Sequence, residues 1–325
     1  MRGGAVCAPL RSSEREVGNN MIENLDRPGA VLAAAAAGLL AAVGLVMVAY
    51  AQPAGANFPG TPAKIVYSNS DGNDFEIFTI RPDGGGRVQL TDNTTSDRAP
   101  VYSPSGNRIA YEGFDGQDDE IFTIGATGGG KIQVTDNTTS DEDPYYSPNG
   151  ERIAYEGFDG NDDEIFTIRR DGGGRVQVTD NTRDDFDPTY GPGGIRIAYI
   201  GDDGQDDEIY AIKTDGSANR RVTDNTTTED EPDYSPDGAR IAYESFDGQD
   251  DEIFTIKLDG GAKRRVTDNT TIDTQPVYSP NGMRLVYASY DGQDDEIFTI
   301  KLDGGGRVQV TDNTTDDTAP HWGSS

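Results

Sequence analysis

Cysteine, histidine and tryptophan each occur once, at Cys7, His321 and Trp322. A lone thiol near the N-terminus excludes internal disulfides and leaves the body of the chain without thiol chemistry. A lone histidine makes any Ser-His-Asp arrangement depend on His321, and no Gly-x-Ser-x-Gly elbow accompanies it. His321 is expected at a surface position rather than as a general base, so no catalytic residue is assigned. Basic residues are also scarce, with 27 Lys and Arg against 58 Asp and Glu, a net charge of −31. Nucleic acid and anionic membrane require a basic footprint that releases counterions, so both are excluded as partners. Cations or basic protein surfaces are expected instead. Helix-forming windows are missing from the Gly- and Thr-rich body of the chain, which excludes a helical solenoid.

What the chain has in abundance is repetition. The stretch Asp-Gly-Gln-Asp-Asp-Glu-Ile-Phe-Thr-Ile begins at Asp115, and close copies begin at Asp71, Asp159, Asp203, Asp247 and Asp291, always 44 residues apart. Thr-Asp-Asn triplets from Thr91 to Thr311 and prolines from Pro100 to Pro320 fall on the same grid. A constant period means one supersecondary unit repeated six times. Within the unit, turn residues and β-branched or aromatic runs mark four strands, for example 100–103, 108–112, 120–124 and 132–135. Four antiparallel strands in such a period predict a β-propeller blade. The repeat region opens on a second-strand sequence at Lys64 and ends on a first-strand sequence, Pro320-His321-Trp322. The expected fold is all-β, a six-bladed propeller over 63–325 whose C-terminal strand joins the three N-terminal ones and closes the ring.

The unit resembles the TolB-type, WD-repeat-like propeller repeat, whose pattern runs Pro-x-Trp-Ser-Pro-Asp-Gly, a short apolar strand, then Asp-Gly-Asn before Glu-Ile-Tyr. The matching residues are Pro232-Asp233-Tyr234-Ser235-Pro236-Asp237-Gly238, Ile241-Ala242-Tyr243, Asp247-Gly248 and Glu252-Ile253-Phe254. The resemblance implies a propeller that presents a protein-binding face, without the separate N-terminal α/β domain of TolB.

From Ala30 to Ala49 the chain is almost wholly apolar, and Ala49-Tyr50-Ala51 before Gln52 has the small-x-small form of a signal-peptidase site. Residues 1–51 are read as a signal peptide with a mis-start before Met21, and 52–62 as a linker. The mature protein is then periplasmic or extracellular and not inserted in the membrane, or membrane-anchored if the leader stays uncleaved. Residues 1–51 carry four basic and four acidic residues, so the whole net charge sits on the repeats.

In a four-stranded meander the turn between strands two and three shares a face with the link to the next blade, and both segments are acidic here. The turns carry Asp115, Asp118 and Asp119, Asp159, Asp162 and Asp163, Asp203, Asp206 and Asp207, Asp247, Asp250 and Asp251, and Asp291, Asp294 and Asp295. Crowded carboxylates attract hard cations with oxygen ligands, so these are the candidate calcium positions. The competing reading is a hairpin turn with solvated aspartates. The links contribute Asp97, Asp141, Asp185, Glu229, Asp273 and Asp317, which with Phe186 of the least regular unit form the expected binding face. The opposite face receives Arg87, Lys131, Arg175, Arg220, Arg221, Lys263, Arg264, Arg265 and Arg307, giving a polarised molecule. These residues point to a monomeric, noncatalytic scaffold for a partner with a basic surface. One rival reading is a calcium-binding cell-surface structural protein. The other is a metal-assisted hydrolase or lyase, which requires an asymmetric cluster in the central channel.

Overall fold

The computed structural model describes residues 64–323 except Asp71; the leader, the linker and Asp71 lie outside the described residues. Twenty-four strands form six four-stranded antiparallel sheets, and no helix occurs among the described residues. Blade 1 consists of β24 (Asp317–Trp322), β1 (Ile65–Ser70), β2 (Phe75–Ile80) and β3 (Val88–Gln89). Blade 2 is the run β4 (Asp97–Tyr102), β5 (Arg108–Phe114), β6 (Asp119–Gly125) and β7 (Ile132–Gln133); blades 3 to 6 repeat it. Closure follows the expected scheme, with Ile65 paired to Trp322 and Val66 to His321.

Packing between blades explains the apolar pattern. Ile65, Ile77, Ile109, Ile121 and their equivalents are fully buried, as are Tyr67, Tyr111, Tyr155 and Tyr243. Each such tyrosine lies across the sheet from an aromatic residue of the third strand, as in Tyr155 against Phe166, with centroids 5.8 Å apart. Arg175 then covers the Phe166 ring at 3.7 Å and donates from Nε to the Tyr155 hydroxyl at 2.8 Å. Arg87, Lys131, Lys263 and Arg307 cover equivalent rings. Five cations expected as free charge on the opposite face are therefore folded against their own blades, where a cation–π contact contributes about 0.5–1 kcal/mol at a part-exposed site.

The fourth strand is only two residues long, and the Thr-Asp-Asn motif takes over where it stops. Thr135 Oγ1 accepts the Ile121 N–H at 2.8 Å, and the same bond recurs from Thr91 to Thr311. A threonine hydroxyl thus satisfies a buried backbone donor that a longer strand would have paired. The expected result for Thr135→Val, which keeps the shape and removes the acceptor, is a loss of about 1–3 kcal/mol in denaturant unfolding.

The first strand differs most from its sequence reading. It begins at Asp97 rather than Pro100, because Ala99 adopts φ 45° and the register shifts between Arg98 and Val101. This β-bulge lets pairing continue upstream of a proline that itself donates no hydrogen bond. Asp143, Asp187, Glu231, Gln275 and Ala319 hold the same left-handed position in their blades.

Candidate functional site

The bulges decide which acidic residues face inward. Asp97, Asp141, Asp185, Glu229, Asp273 and Asp317 are at most 3 % exposed. Asn137 shows why: its Nδ2 donates to Asp141 at 2.7 Å, its N–H donates to Glu120 at 2.6 Å, and its side-chain oxygen accepts from the Thr139 N–H. These six carboxylates tie the link to the blade interior and offer no surface to a partner, which corrects their expected exposure. Burial raises the Asp141 carboxyl to about 7 and the Asp185 carboxyl to about 8, with Glu120 and Glu164 adding to the respective shifts. Phe186 is part-buried against the apolar cluster of blades 4 and 5.

The acidic turns do converge, with one substitution in the expected set. Oxygens of Asp115, Asp118 and Glu120 lie within 4.8 Å of one another, and so do those of Asp159, Asp162 and Glu164, of Asp203, Asp206 and Glu208, and of Asp247, Asp250 and Glu252. The glutamate replaces Asp119, Asp163, Asp207 and Asp251 because neighbouring residues on a strand project to opposite faces. Asp295 holds the corresponding position beside Glu296 at the start of its strand. Beside the turns, at the end of the second strands, Phe114, Phe158, Phe246 and Tyr290 are 39–46 % exposed. The face therefore carries aromatic rings among its carboxylates, a pairing the charge count had not brought out.

On the axis the bulge residues and the second strands enclose a cavity of about 200 Å³. Its wall is asymmetric. Blades 2 to 5 supply Glu112, Asp143, Asp187 and Glu231, whereas Gln275, Ala319 and Ala99 hold the bulge positions of blades 6, 1 and 2. Glu156 joins this arc, its carboxylate lying within 4.8 Å of those of Asp143 and Asp187. Burial is the main cause of a general upward shift: Asp143 to about 6, Glu244 to about 8, Glu156 to about 9, and Glu112, Asp187 and Glu231 well above the carboxylate range. Mutual repulsion adds to it. Among the described residues Arg98 is the one Lys or Arg lining the cavity.

The second-strand glutamates also brace the ring, since Glu244 accepts the Gln275 N–H of the next blade at 2.7 Å and Glu112 that of Asp143 at 3.4 Å. Farther along the first strands Tyr145, Asp233 and His321 form the floor. The Tyr145 hydroxyl donates across the ring to Asp233 at 2.8 Å, and His321 packs edge-on to Tyr145 at 5.8 Å. His321 is buried, contrary to its expected surface position, and desolvation lowers it to about 4, so it is neutral at pH 7. Along its strand Glu156 stands three residues before Asp159 of an acidic turn.

The cavity arc was missed in the sequence, although a signal existed. The residue before each grid proline reads Ala99, Asp143, Asp187, Glu231, Gln275 and Ala319, the kind of uneven column that marks a special sector in a symmetric ring.

Residues 230–325 match the family model for the TolB beta propeller domain. No curated protein matches the sequence. Among solved structures, TolB from Acinetobacter baumannii superimposes with a TM-score of 0.72 at 20% identity, over 83% of this chain and 68% of that one. A chain of Kuenenia stuttgartiensis hydrazine synthase gives 0.68 at 15% identity, over 82% of this chain and 47% of that one. A chain of a nidogen/laminin complex gives 0.66 at 9% identity, over 80% and 98%. Proteins this diverse share a fold, and function has to be argued from the site.

Proposed function

We propose that this TolB-like six-bladed propeller is a noncatalytic, exported scaffold that docks a protein with a basic surface on its acidic face and receives a cationic side chain in the axial cavity. The observation that carries the reading is the arc of Glu112, Asp143, Glu156, Asp187 and Glu231 around a cavity whose wall contains only Arg98 as counter-charge. An entering lysine or arginine would offset the desolvation and mutual repulsion that hold these groups protonated, and the exposed Phe114, Phe158, Phe246 and Tyr290 would supply apolar contact around the rim. A monomer suffices, since the cavity is complete within one ring. The apolar leader with its Ala49-Tyr50-Ala51 site supports placement in the periplasm or outside the cell.

The test is fluorescence anisotropy with a labelled oligolysine and a neutral Gly-Ser peptide of equal length. The intact chain is expected to hold the cationic peptide in a salt-sensitive manner, and Asp187→Asn with Glu231→Gln to weaken it about tenfold. Equal binding of both peptides, or an unchanged variant, would sink the proposal.

A second reading, metal-assisted hydrolysis or elimination, is favoured by the Asp143, Glu156 and Asp187 cluster alone. Turnover of chromogenic esters, phosphates or uronides that Glu156→Gln abolishes would establish it over the scaffold.

A further inference from the structure

We infer that the acidic turns of blades 2, 3 and 6 are calcium sites, whereas those of blades 4 and 5 carry an arginine in the place of the ion. Blade 3 shows the site best. Oxygens of Asp159, Asp162 and Glu164 fall within 4.8 Å of one another, the span that ligands on opposite sides of a calcium ion cover when each bond is about 2.3–2.6 Å. Asp162 is only 8 % exposed, yet both its carboxylate oxygens are buried and without a hydrogen-bond partner. Asp294 in blade 6 repeats this at 7 % exposure, again with both oxygens unpartnered. A buried carboxylate that meets no donor is costly unless a cation completes it.

The chain itself shows what the turn accepts. In blades 2, 3 and 6 the first aspartate takes a neutral amide from the outer strand: Gln133 Nε2 donates to Asp115 at 3.3 Å, Gln177 to Asp159 at 3.2 Å and Gln309 to Asp291 at 3.4 Å. At the same grid position blades 4 and 5 have Arg221 and Arg265, whose guanidinium groups bind the corresponding Asp203 and Asp247 and reach on to Asp224 and Asp268. Asp206 of blade 4 also has both oxygens without a hydrogen-bond partner, but there the fixed charge of Arg221 stands beside Asp203 and acts on Asp206; where the outer strand brings glutamine, it adds no positive charge to the turn. A divalent ion with oxygen ligands fits the latter, because the clustered ligand atoms are carboxylate oxygens and the geometry is that of an irregular turn.

The experiment is a calcium titration of the full chain by equilibrium dialysis after chelation, at fixed ionic strength. At least about three ions per chain are expected, with dissociation constants on the order of 10⁻⁴–10⁻³ M. Gln177→Arg, which copies blades 4 and 5 into blade 3, should remove one equivalent and leave the melting temperature in chelator unchanged or raised. Arg221→Gln, the converse, should add one. Stoichiometry that neither variant changes, or calcium uptake no greater than that of a monovalent salt at equal ionic strength, overturns the assignment. Should Gln177→Arg fail to fold, the gain in Arg221→Gln decides.

Discussion

Trp322→Ala is expected to lower the melting temperature by roughly 6–20 °C, the consequence of a loss of about 3–5 kcal/mol. The indole is 3 % exposed and packs with Ile65, Tyr67, Val286, Ala288 and Val310, residues contributed by blades 1 and 6. Every other blade joins its innermost strand to the next by a hairpin. In blade 1, β24 is held to β1 by pairing and packing alone, with the Gly323 N–H donating to the Lys64 carbonyl at 2.8 Å as its last rung. Weakening this contact opens the ring and bares the edge of β1, so aggregation should accompany the lower transition. Trp322→Tyr separates size from aromaticity, since Tyr102, Tyr146, Tyr190, Tyr234 and Tyr278 fill this slot elsewhere. It should lose less than about 1.5 kcal/mol. A calorimetric fall for the alanine variant no larger than that for the tyrosine variant would mean that the closing strand contributes little to the ring.

The repeat grid made this architecture legible: six equal periods with fixed turn residues leave one plausible way to place strands, and the displaced first strand announces its own closure. The site was less legible because the deciding residues sit where local rules and tertiary pairing disagree. Pro100 reads as the start of a strand, and everything before it as a solvated link. The left-handed bulge at Ala99 carries the pairing upstream, so Asp97 enters the sheet and its carboxylate lies against Gly113, where a Cβ would come within 2.6 Å of its Oδ1. The same bulge turns Asp143, Asp187 and Glu231 toward the axis. In the turns the error was one residue wide: Glu120 and Glu164, not Asp119 and Asp163, complete the clusters, and period-two alternation would have said so. Arg221 and Arg265 were assigned to the opposite face by their place in sequence, but a long side chain on a two-residue strand reaches back along the sheet to the acidic turn.

Between about pH 5 and 9 the native chain, kept in chelator, is expected to lose stability as the pH rises. Two second-strand glutamates beside the cavity set the direction, Glu156 next to Asp143 and Asp187 and Glu244 next to Gln275. Glu156 titrates at about 9 and Glu244 at about 8 in the folded protein, raised first by burial and then by neighbouring acids, whereas an unfolded glutamate titrates near about 4.3. In that window the native state holds protons that the unfolded state has released, so each step upward in pH favours unfolding. Stabilisation from these groups is complete below the unfolded value and is gone once the pH has passed the folded one. Glu156→Gln combined with Glu244→Gln makes the groups permanently neutral and keeps an acceptor for the Gln275 N–H, which Glu244 now receives at 2.7 Å. The double variant should flatten the profile and melt roughly 5–10 °C above the parent at pH 8, while matching it near pH 5. A cationic ligand in the cavity should act in the opposite sense, expelling the protons and restoring stability at high pH. A parent profile that rises from pH 5 to 8, or a double variant that melts below the parent at pH 8, would show that the arc is already compensated and is not waiting for a positive charge.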